Sequence, residues 1–155
     1  MIIPAQIHHT KQIWWLLNDA NDSSLSHYSM EEVKIFKKEN THELIEKYIW
    51  ESGYQSFVYT NLDGDILWYY VYSISNHMLY RLYVDPKAQW KWIGTQLIEY
   101  VKKLFQKLWV DTLYVPSRKN AVSFYEKIVF VKTGKYQDWN TCGWIFQQNI
   151  LELKI

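Results

Sequence analysis

The residue types best suited to chemistry lie in one strand-to-helix connection near the middle of the chain. A strand-like run ends at Asp85-Pro86, a short polar loop follows, and a helical pattern begins near Gly94. Backbone N–H groups in such a loop, at the positive end of a helix, lack internal partners and can hold an anion. Taken alone, the pattern fits either a phosphate cradle or an ordinary strand-to-helix connection.

Two motifs in this part of the chain resemble those of the GCN5-related N-acetyltransferases (GNATs). The family's acetyl-CoA motif is Gln or Arg, two residues, Gly, one residue, then Gly or Ala; Gln89 and Gly94 match its first and last positions. The segment from Asn120 to Phe130 is similar to a second family signature, an asparagine followed by FYEK and GF. The resemblance runs from about Ser56 to the C-terminus, and the first 55 residues fit only as the variable helices that shape the acceptor site.

This resemblance implies an acetyltransferase that moves an acetyl group from acetyl-CoA, its co-substrate, to a primary amine by direct attack. Backbone groups of Leu82, Tyr83 and Val84 would pair with the pantetheine arm as an added strand does. Tyr125 would donate a proton to the departing thiolate, a general-acid role. The remaining residues implied in cofactor binding are Gln89, Trp90, Lys91, Trp92, Ile93, Gly94, Thr95, Asn120 and Ser123.

Structural interpretations stand beside these roles. Asn120 also fits a helix N-cap, and Tyr125 fits an amphipathic helix residue that packs on a sheet. No general base is evident; four candidates remain open, namely Asp85, Glu43, Glu46 and His77. Asp85 also fits a cap of the strand-to-helix loop.

The chain departs from the family pattern at several glycine positions. Trp92 replaces the first glycine of the acetyl-CoA motif, and Val129 replaces the glycine of GF. Glycine is used in such places because its φ is free and its backbone can approach a phosphate closely. Three further tryptophans stand where the family commonly has glycine: Trp68, Trp90 and Trp109.

Three explanations for the four tryptophans remain open. In the first explanation, the protein is an active enzyme whose Trp92 side chain points to solvent. In the second, it is a degenerate family member that binds the cofactor weakly or not at all and acts as a binding module. Alternatively, a codon that means glycine in one genetic code has been translated as tryptophan. On the last reading we expect the four indoles to be strained or exposed rather than packed in a core, with Trp68 the weakest case because strands accept aromatics.

Hydrophobic periodicity and turn residues give the order of the elements. Three helices come first, at Thr10–Ala20 and after Ser29 and Thr41. Three strands follow them, then two units of a helix and a strand, and then a last strand. The predicted strands are 57–59, 66–74, 78–84, 112–115, 129–132 and 144–153, and the later helices are 93–107 and 120–128. The expected fold is therefore a single α/β (α+β) domain over residues 1–155, with a mixed, mostly antiparallel sheet of six to seven strands flanked by helices.

Composition narrows the classes of partner. With 17 basic and 16 acidic residues the net charge is +1, which argues against binding nucleic acid or an anionic membrane. Cys142 is the only cysteine and the N-terminus lacks the pattern of a signal peptide, so we expect a cytoplasmic protein. The histidines show no metal-ligand spacing, so no metal is expected. The expected acceptor is a small-molecule or peptide amine, and the expected state is a monomer or homodimer.

Overall fold

The computed structural model describes residues 1–88 and 93–155. Its strands are β1 (Ile2–Pro4), β2 (Tyr54–Thr60), β3 (Ile66–Ser73), β4 (Met78–Val84), β5 (Thr112–Ser117), β6 (Val131–Thr141) and β7 (Trp144–Lys154). Its α-helices are α1 (Thr10–Asp22), α2 (Met30–Lys38), α3 (His42–Trp50), α4 (Ile93–Lys107) and α5 (Val122–Lys127). Short 3-10 turns cover Ile7–His9 and Ser23–Ser26.

The strands form one seven-stranded sheet in the order β1-β2-β3-β4-β5-β7-β6. The pairs β1–β2, β2–β3, β5–β7 and β6–β7 are antiparallel, whereas β4 and β5 are parallel, with Met78 opposite Tyr114. The predicted fold class, a mixed and mostly antiparallel sheet flanked by helices, is confirmed. Among the described residues, no helix is long and apolar enough to span a membrane.

The chain forms two compact units. The first contains Met1–Ser75 and Tyr80–Ala88, and the second contains Asn76–Leu79 with the described part of residues 89–155. In the first unit, α1, α3, β2 and β3 bury one apolar cluster, which includes Ile13, Leu17, Ile45, Val58 and Val71. In the second unit, the buried residues of α4 recur at helical spacing: Leu97, Ile98, Val101 and Phe105.

The helices of the first unit begin with conventional caps. Ser29 Oγ accepts a hydrogen bond from the Glu32 N–H at 3.2 Å, and the Ser29 N–H donates to the Glu32 carboxylate at 2.8 Å. Thr41 Oγ1 accepts from the Leu44 N–H at 3.1 Å at the start of α3. These contacts satisfy N–H groups that a helix leaves without internal partners, and they confirm both helix starts predicted from the sequence.

Helix α4 ends in a Schellman motif whose left-handed residue is a tryptophan. The Val110 N–H donates to the Phe105 carbonyl at 3.1 Å, and the Trp109 N–H donates to the Gln106 carbonyl at 3.3 Å. Trp109 has φ +57° and its side chain is 92% exposed. Glycine usually occupies this position because it has no Cβ to clash. The expectation that Trp109 is strained or exposed is confirmed on both counts.

Helix α5 ends in the same motif with a valine in the left-handed position. The Phe130 N–H donates to the Tyr125 carbonyl at 3.0 Å, and the Val129 N–H donates to the Glu126 carbonyl at 3.2 Å. Val129 has φ +70° and is exposed. A β-branched residue with positive φ is a genuine outlier, so this helix end is strained where the family pattern has glycine.

The expectation for Trp68 is wrong. Trp68 lies inside β3 and is fully buried, with its ring centroid 5.8 Å from that of Tyr59 and 5.3 Å from that of Tyr70. A strand places alternate side chains on opposite faces, so an aromatic residue can pack there without backbone strain. Its indole N–H has no hydrogen-bond acceptor within the described ranges.

Candidate functional site

The C-terminal half of β4 carries the three residues expected to pair with pantetheine. Leu82, Tyr83 and Val84 are all partly exposed. After them the chain turns at Asp85, whose carboxylate accepts a hydrogen bond from the Lys87 N–H at 2.8 Å. The structure thus supports the interpretation that Asp85 caps the loop. Its carboxylate binds a backbone N–H of the loop, which makes Asp85 a weaker candidate for the general base.

Part of the acetyl-CoA motif lies outside the described residues, namely Gln89, Trp90, Lys91 and Trp92. Helix α4 begins at Ile93 and includes Gly94 and the exposed Thr95 in its first turn. The helix therefore begins within the last positions of the motif, near Gly94, as the sequence predicts.

Asn120 lies in the turn before α5, and its side chain does not cap that helix. The N-cap residue is Ala121, which offers no side-chain hydrogen bond. The side-chain oxygen of Asn120 is buried and has no partner in the described part of the chain. Leaving a buried polar atom unpaired costs about 1–3 kcal/mol. The cap interpretation is therefore wrong, and a buried acceptor without a donor among the described residues lies in the turn before α5.

Tyr125 is fixed on α5 by its ring and its backbone together. Its side chain is buried, and its ring meets Phe124 and Phe130 edge to face at 5.3 and 5.4 Å between centroids. Its carbonyl accepts the Phe130 N–H of the left-handed turn described above. Ser123, two residues earlier, is exposed. The packing interpretation of Tyr125 and a chemical role are compatible, because packing sets the direction of the phenol.

The remaining general-base candidates are Glu43, His77 and Glu46. The pKa of Glu43 is lowered, first by a hydrogen bond from its own backbone N–H and then by the Thr41 side chain, which makes it a weaker base. His77 lies in a turn with φ +54° and is exposed. Glu46 is partly exposed on α3. Within residues 1–88 and 93–155, no group of three or more His, Cys, Asp or Glu residues could hold a metal ion.

Sequence reasoning missed a buried arginine on β4. The Arg81 side chain is only 14% exposed, and its Nη1 donates to Asn40 Oδ1 at 3.0 Å. Its guanidinium carbon lies 5.5 Å from the Tyr48 ring centroid, and its Nη2 lies 3.9 Å from a Glu39 carboxylate oxygen. The available signal was a single arginine inside an otherwise aromatic and apolar strand.

Comparisons with known proteins identify the family to which the chain belongs. A family model described as "Acetyltransferase (GNAT) domain" matches residues 24–145. A search of curated proteins by sequence returned no match.

Solved structures share the whole fold at low sequence identity. A GCN5-related N-acetyltransferase from Rhodopseudomonas palustris superposes with a TM-score of 0.86 at 17% identity, covering 100% of this chain and 95% of that one. The PaiA N-acetyltransferase from Thermoplasma acidophilum, solved in complex with coenzyme A, gives 0.80 at 19% identity, covering 100% and 98%. Apo YjaB from Escherichia coli gives 0.73 at 17% identity, covering 98% and 95%.

Proposed function

Because the chain belongs to the GNAT acetyltransferase family, whose model matches more than half of it, we propose that it transfers an acetyl group from acetyl-CoA to a primary amine. The acceptor is a small molecule or a peptide. The competing function is that of a degenerate member that binds acetyl-CoA weakly or not at all.

The unpaired oxygen of Asn120 is the observation that carries the proposal. A buried acceptor without a donor is a feature that a folded chain retains at a cost. The pantetheine arm contains amide N–H groups of the kind that this oxygen lacks. The residues present therefore fit the cofactor at this position, and binding would recover the cost of the unpaired atom.

Acetyl-CoA, when bound, supplies the acetyl thioester that the neutral amine nitrogen attacks, with cleavage of the C–S bond. The backbone of Leu82–Val84 would hold the pantetheine arm as an added strand. Tyr125 would give its phenolic proton to the sulfur as thiolate charge develops, and the proton lost by the attacking nitrogen would return to the Tyr125 oxygen through solvent. Because that charge is present only near the transition state, the contribution of Tyr125 belongs to kcat rather than to cofactor affinity.

Calorimetric titration with acetyl-CoA tests the proposal. We expect the unaltered chain to bind and Asn120→Ala to bind about tenfold more weakly, the equivalent of one hydrogen bond of about 1.4 kcal/mol. Asn140→Ala is the matched control, since Asn140 is an exposed asparagine on β6. Binding by neither the chain nor the control would favour the degenerate alternative, and equal binding by all three would remove Asn120 from the site.

Titration of Trp92→Gly tests the departure in the motif. Loss of two charge-assisted hydrogen bonds to the pyrophosphate costs roughly 3–6 kcal/mol, or about two to four decades in affinity. We expect the glycine variant to bind acetyl-CoA more tightly than the unaltered chain. Equal dissociation constants would show that the indole does not obstruct the loop.

Kinetics of Tyr125→Phe test the general-acid role. General acid catalysis contributes about 10²–10⁴-fold, so kcat should fall by that order while the dissociation constant for acetyl-CoA stays the same. Tyr136→Phe is the control, because Tyr136 is exposed on β6. An unchanged kcat in Tyr125→Phe would remove the assignment.

A further inference from the structure

We propose that Arg81 is a positioning residue that couples strand β4 to the connection between α2 and α3, so that cofactor bound along β4 orders the helices that shape the acceptor site. The inference rests on the proposed acetyl transfer. It concerns a residue that the motifs do not include.

Three elements of the first unit meet at the Arg81 guanidinium. Asn40 and Glu39 follow the last residue of α2, and Tyr48 belongs to α3. Their distances to Arg81, given above, place a hydrogen bond, a long ion pair and a cation–π contact on one side chain. A guanidinium suits this task because its planar fork can serve several partners at fixed angles.

The charge on Arg81 is maintained although the side chain is nearly buried. Burial alone lowers the pKa of Arg81, but the surrounding oxygens of Tyr83, Tyr48 and Glu39 outweigh it and raise the pKa above its usual value. The guanidinium of Arg81 therefore keeps its positive charge across the physiological pH range.

The cluster leaves one of its buried polar atoms unpaired. Asn40 uses its side-chain oxygen on Arg81, while its buried side-chain nitrogen has no partner among the residues described. A buried ion pair adds little net stability, and an unpaired buried amide reduces it. The unpaired amide nitrogen offsets part of what the other contacts contribute, so the proposal rests on the arrangement of the three partners around Arg81.

Position along the chain links the cluster to the cofactor. Arg81 directly precedes Leu82–Val84, the residues proposed to pair with pantetheine. The segment it holds, Glu39-Asn40, lies within the first 55 residues, the helices implied in shaping the acceptor site. A ligand that fixes the backbone of β4 would fix Arg81, and Arg81 would then restrict the α2–α3 connection.

Hydrogen exchange of the whole chain, with and without saturating acetyl-CoA, tests this coupling. In the unaltered chain we expect exchange in peptides covering residues 37–46 to slow by about fivefold or more on cofactor binding, the lower end of coupling between sites. Arg81→Met should abolish this slowing while acetyl-CoA still binds. Arg81→Lys should restore part of it, since a lysine keeps the charge but not the fork.

Asp22→Asn is the matched control. It breaks the Lys37–Asp22 pair, whose Nζ–O distances are 2.8 and 2.9 Å and which ties α2 to α1 but not to β4. Slowing that is retained in this variant and lost in Arg81→Met would support the proposal. Two results would overturn the coupling and leave the proposed function intact. In the first, acetyl-CoA binds to the unaltered chain without slowing hydrogen exchange; in the second, exchange slows equally in Arg81→Met. Failure of acetyl-CoA to bind at all, seen by calorimetry, would overturn the proposed function and the coupling with it.

Discussion

The two units differ in how they make their left-handed turns. In the described part of the first unit, the residue with positive φ is Gly64, in the turn between β2 and β3. Among the described residues of the second unit, four that carry a side chain have positive φ: His77, Trp109, Val129 and Cys142. A side chain in this conformation costs about 1–2 kcal/mol that glycine does not incur.

This difference bears on the candidate site because the strained positions end the two helices that carry it. Trp109 terminates α4, which begins at the acetyl-CoA motif, and Val129 terminates α5, which carries Tyr125. In both cases the hydrogen bonds of the Schellman motif form as they do with glycine. The fold thus imposes the family's backbone on residues that fit it poorly.

The codon explanation of the tryptophans covers Trp109 but not Val129. A glycine codon translated as tryptophan would explain Trp109, but it cannot produce a valine. The codon explanation therefore does not extend to Val129. The codon explanation then applies to the tryptophans individually, and each can be tested by its own reversion.

The largest effect is expected for Trp68→Gly, in the first unit. Its indole is fully buried, and truncation of a buried tryptophan costs about 3–5 kcal/mol. At about 2–4 °C per kcal/mol for a chain of this size, the melting temperature should fall by roughly 10 °C. Thermal melts with Trp68→Phe, which retains an aromatic ring, as the milder control would measure the loss. An unchanged melting temperature would show that the indole contributes no packing and would extend the glycine explanation to the first unit.

Val129→Gly should have the opposite sign. The substitution relieves a β-branched side chain at φ +70°, so we expect stabilisation of about 1–2 kcal/mol. Val131→Gly is the control, because Val131 is an exposed valine two residues later in β6, where glycine weakens a strand. Denaturant titrations of both variants would sharpen the comparison, and destabilisation by Val129→Gly would contradict the assigned strain.

Sequence reasoning succeeded where local patterns were strong. The bounds of α4 and β4 were predicted to the residue, because each has an apolar pattern bounded by clear stop signals. The caps at Ser29 and Thr41 were predicted for the same reason. The three-residue β1 was missed because it is too short to show alternation, and β6 was predicted too short because most of its residues are exposed on both faces.

The site was less predictable than the fold. The motif positions identified Asn120 and Tyr125, but whether Asn120 caps α5 depends on the turn, and the turn makes Ala121 the cap. The cluster around Arg81 joins residues about 40 positions apart, which no local pattern encodes. Packing of Trp68 likewise depends on Tyr59, which lies opposite it in β2, so a family glycine position gave the wrong expectation.

Trp109→Gly should stabilise by about 1 kcal/mol, less than Val129→Gly because tryptophan is not β-branched. The indole is 92% exposed, so its removal sacrifices little packing while the strain at φ +57° is relieved. Trp15→Gly is the control: Trp15 is also exposed, but it lies inside α1, where glycine costs about 0.5–1 kcal/mol. Opposite shifts in melting temperature are expected. Shifts of the same sign would mean that the left-handed position at 109 is not what decides the outcome.

The smallest effect is expected at Cys142, in the turn between β6 and β7. Thr141 pairs with Trp144, so Cys142 and Gly143 form a two-residue hairpin loop, and their φ values are +49° and +79°. A loop with positive φ at both central residues is of the type that favours Asn-Gly, since asparagine tolerates the left-handed region better than most residues with a side chain. Cys142 is exposed, so its replacement disturbs no core.

Cys142→Asn should therefore stabilise the protein by a few tenths of a kcal/mol, about the size of a favourable local turn interaction. Gly143→Ala should destabilise it, because the substitution adds a Cβ at positive φ. Denaturant midpoints under reducing conditions would separate the two variants. A loss of stability in Cys142→Asn would show that this turn, unlike the ends of α4 and α5, already holds its preferred residue.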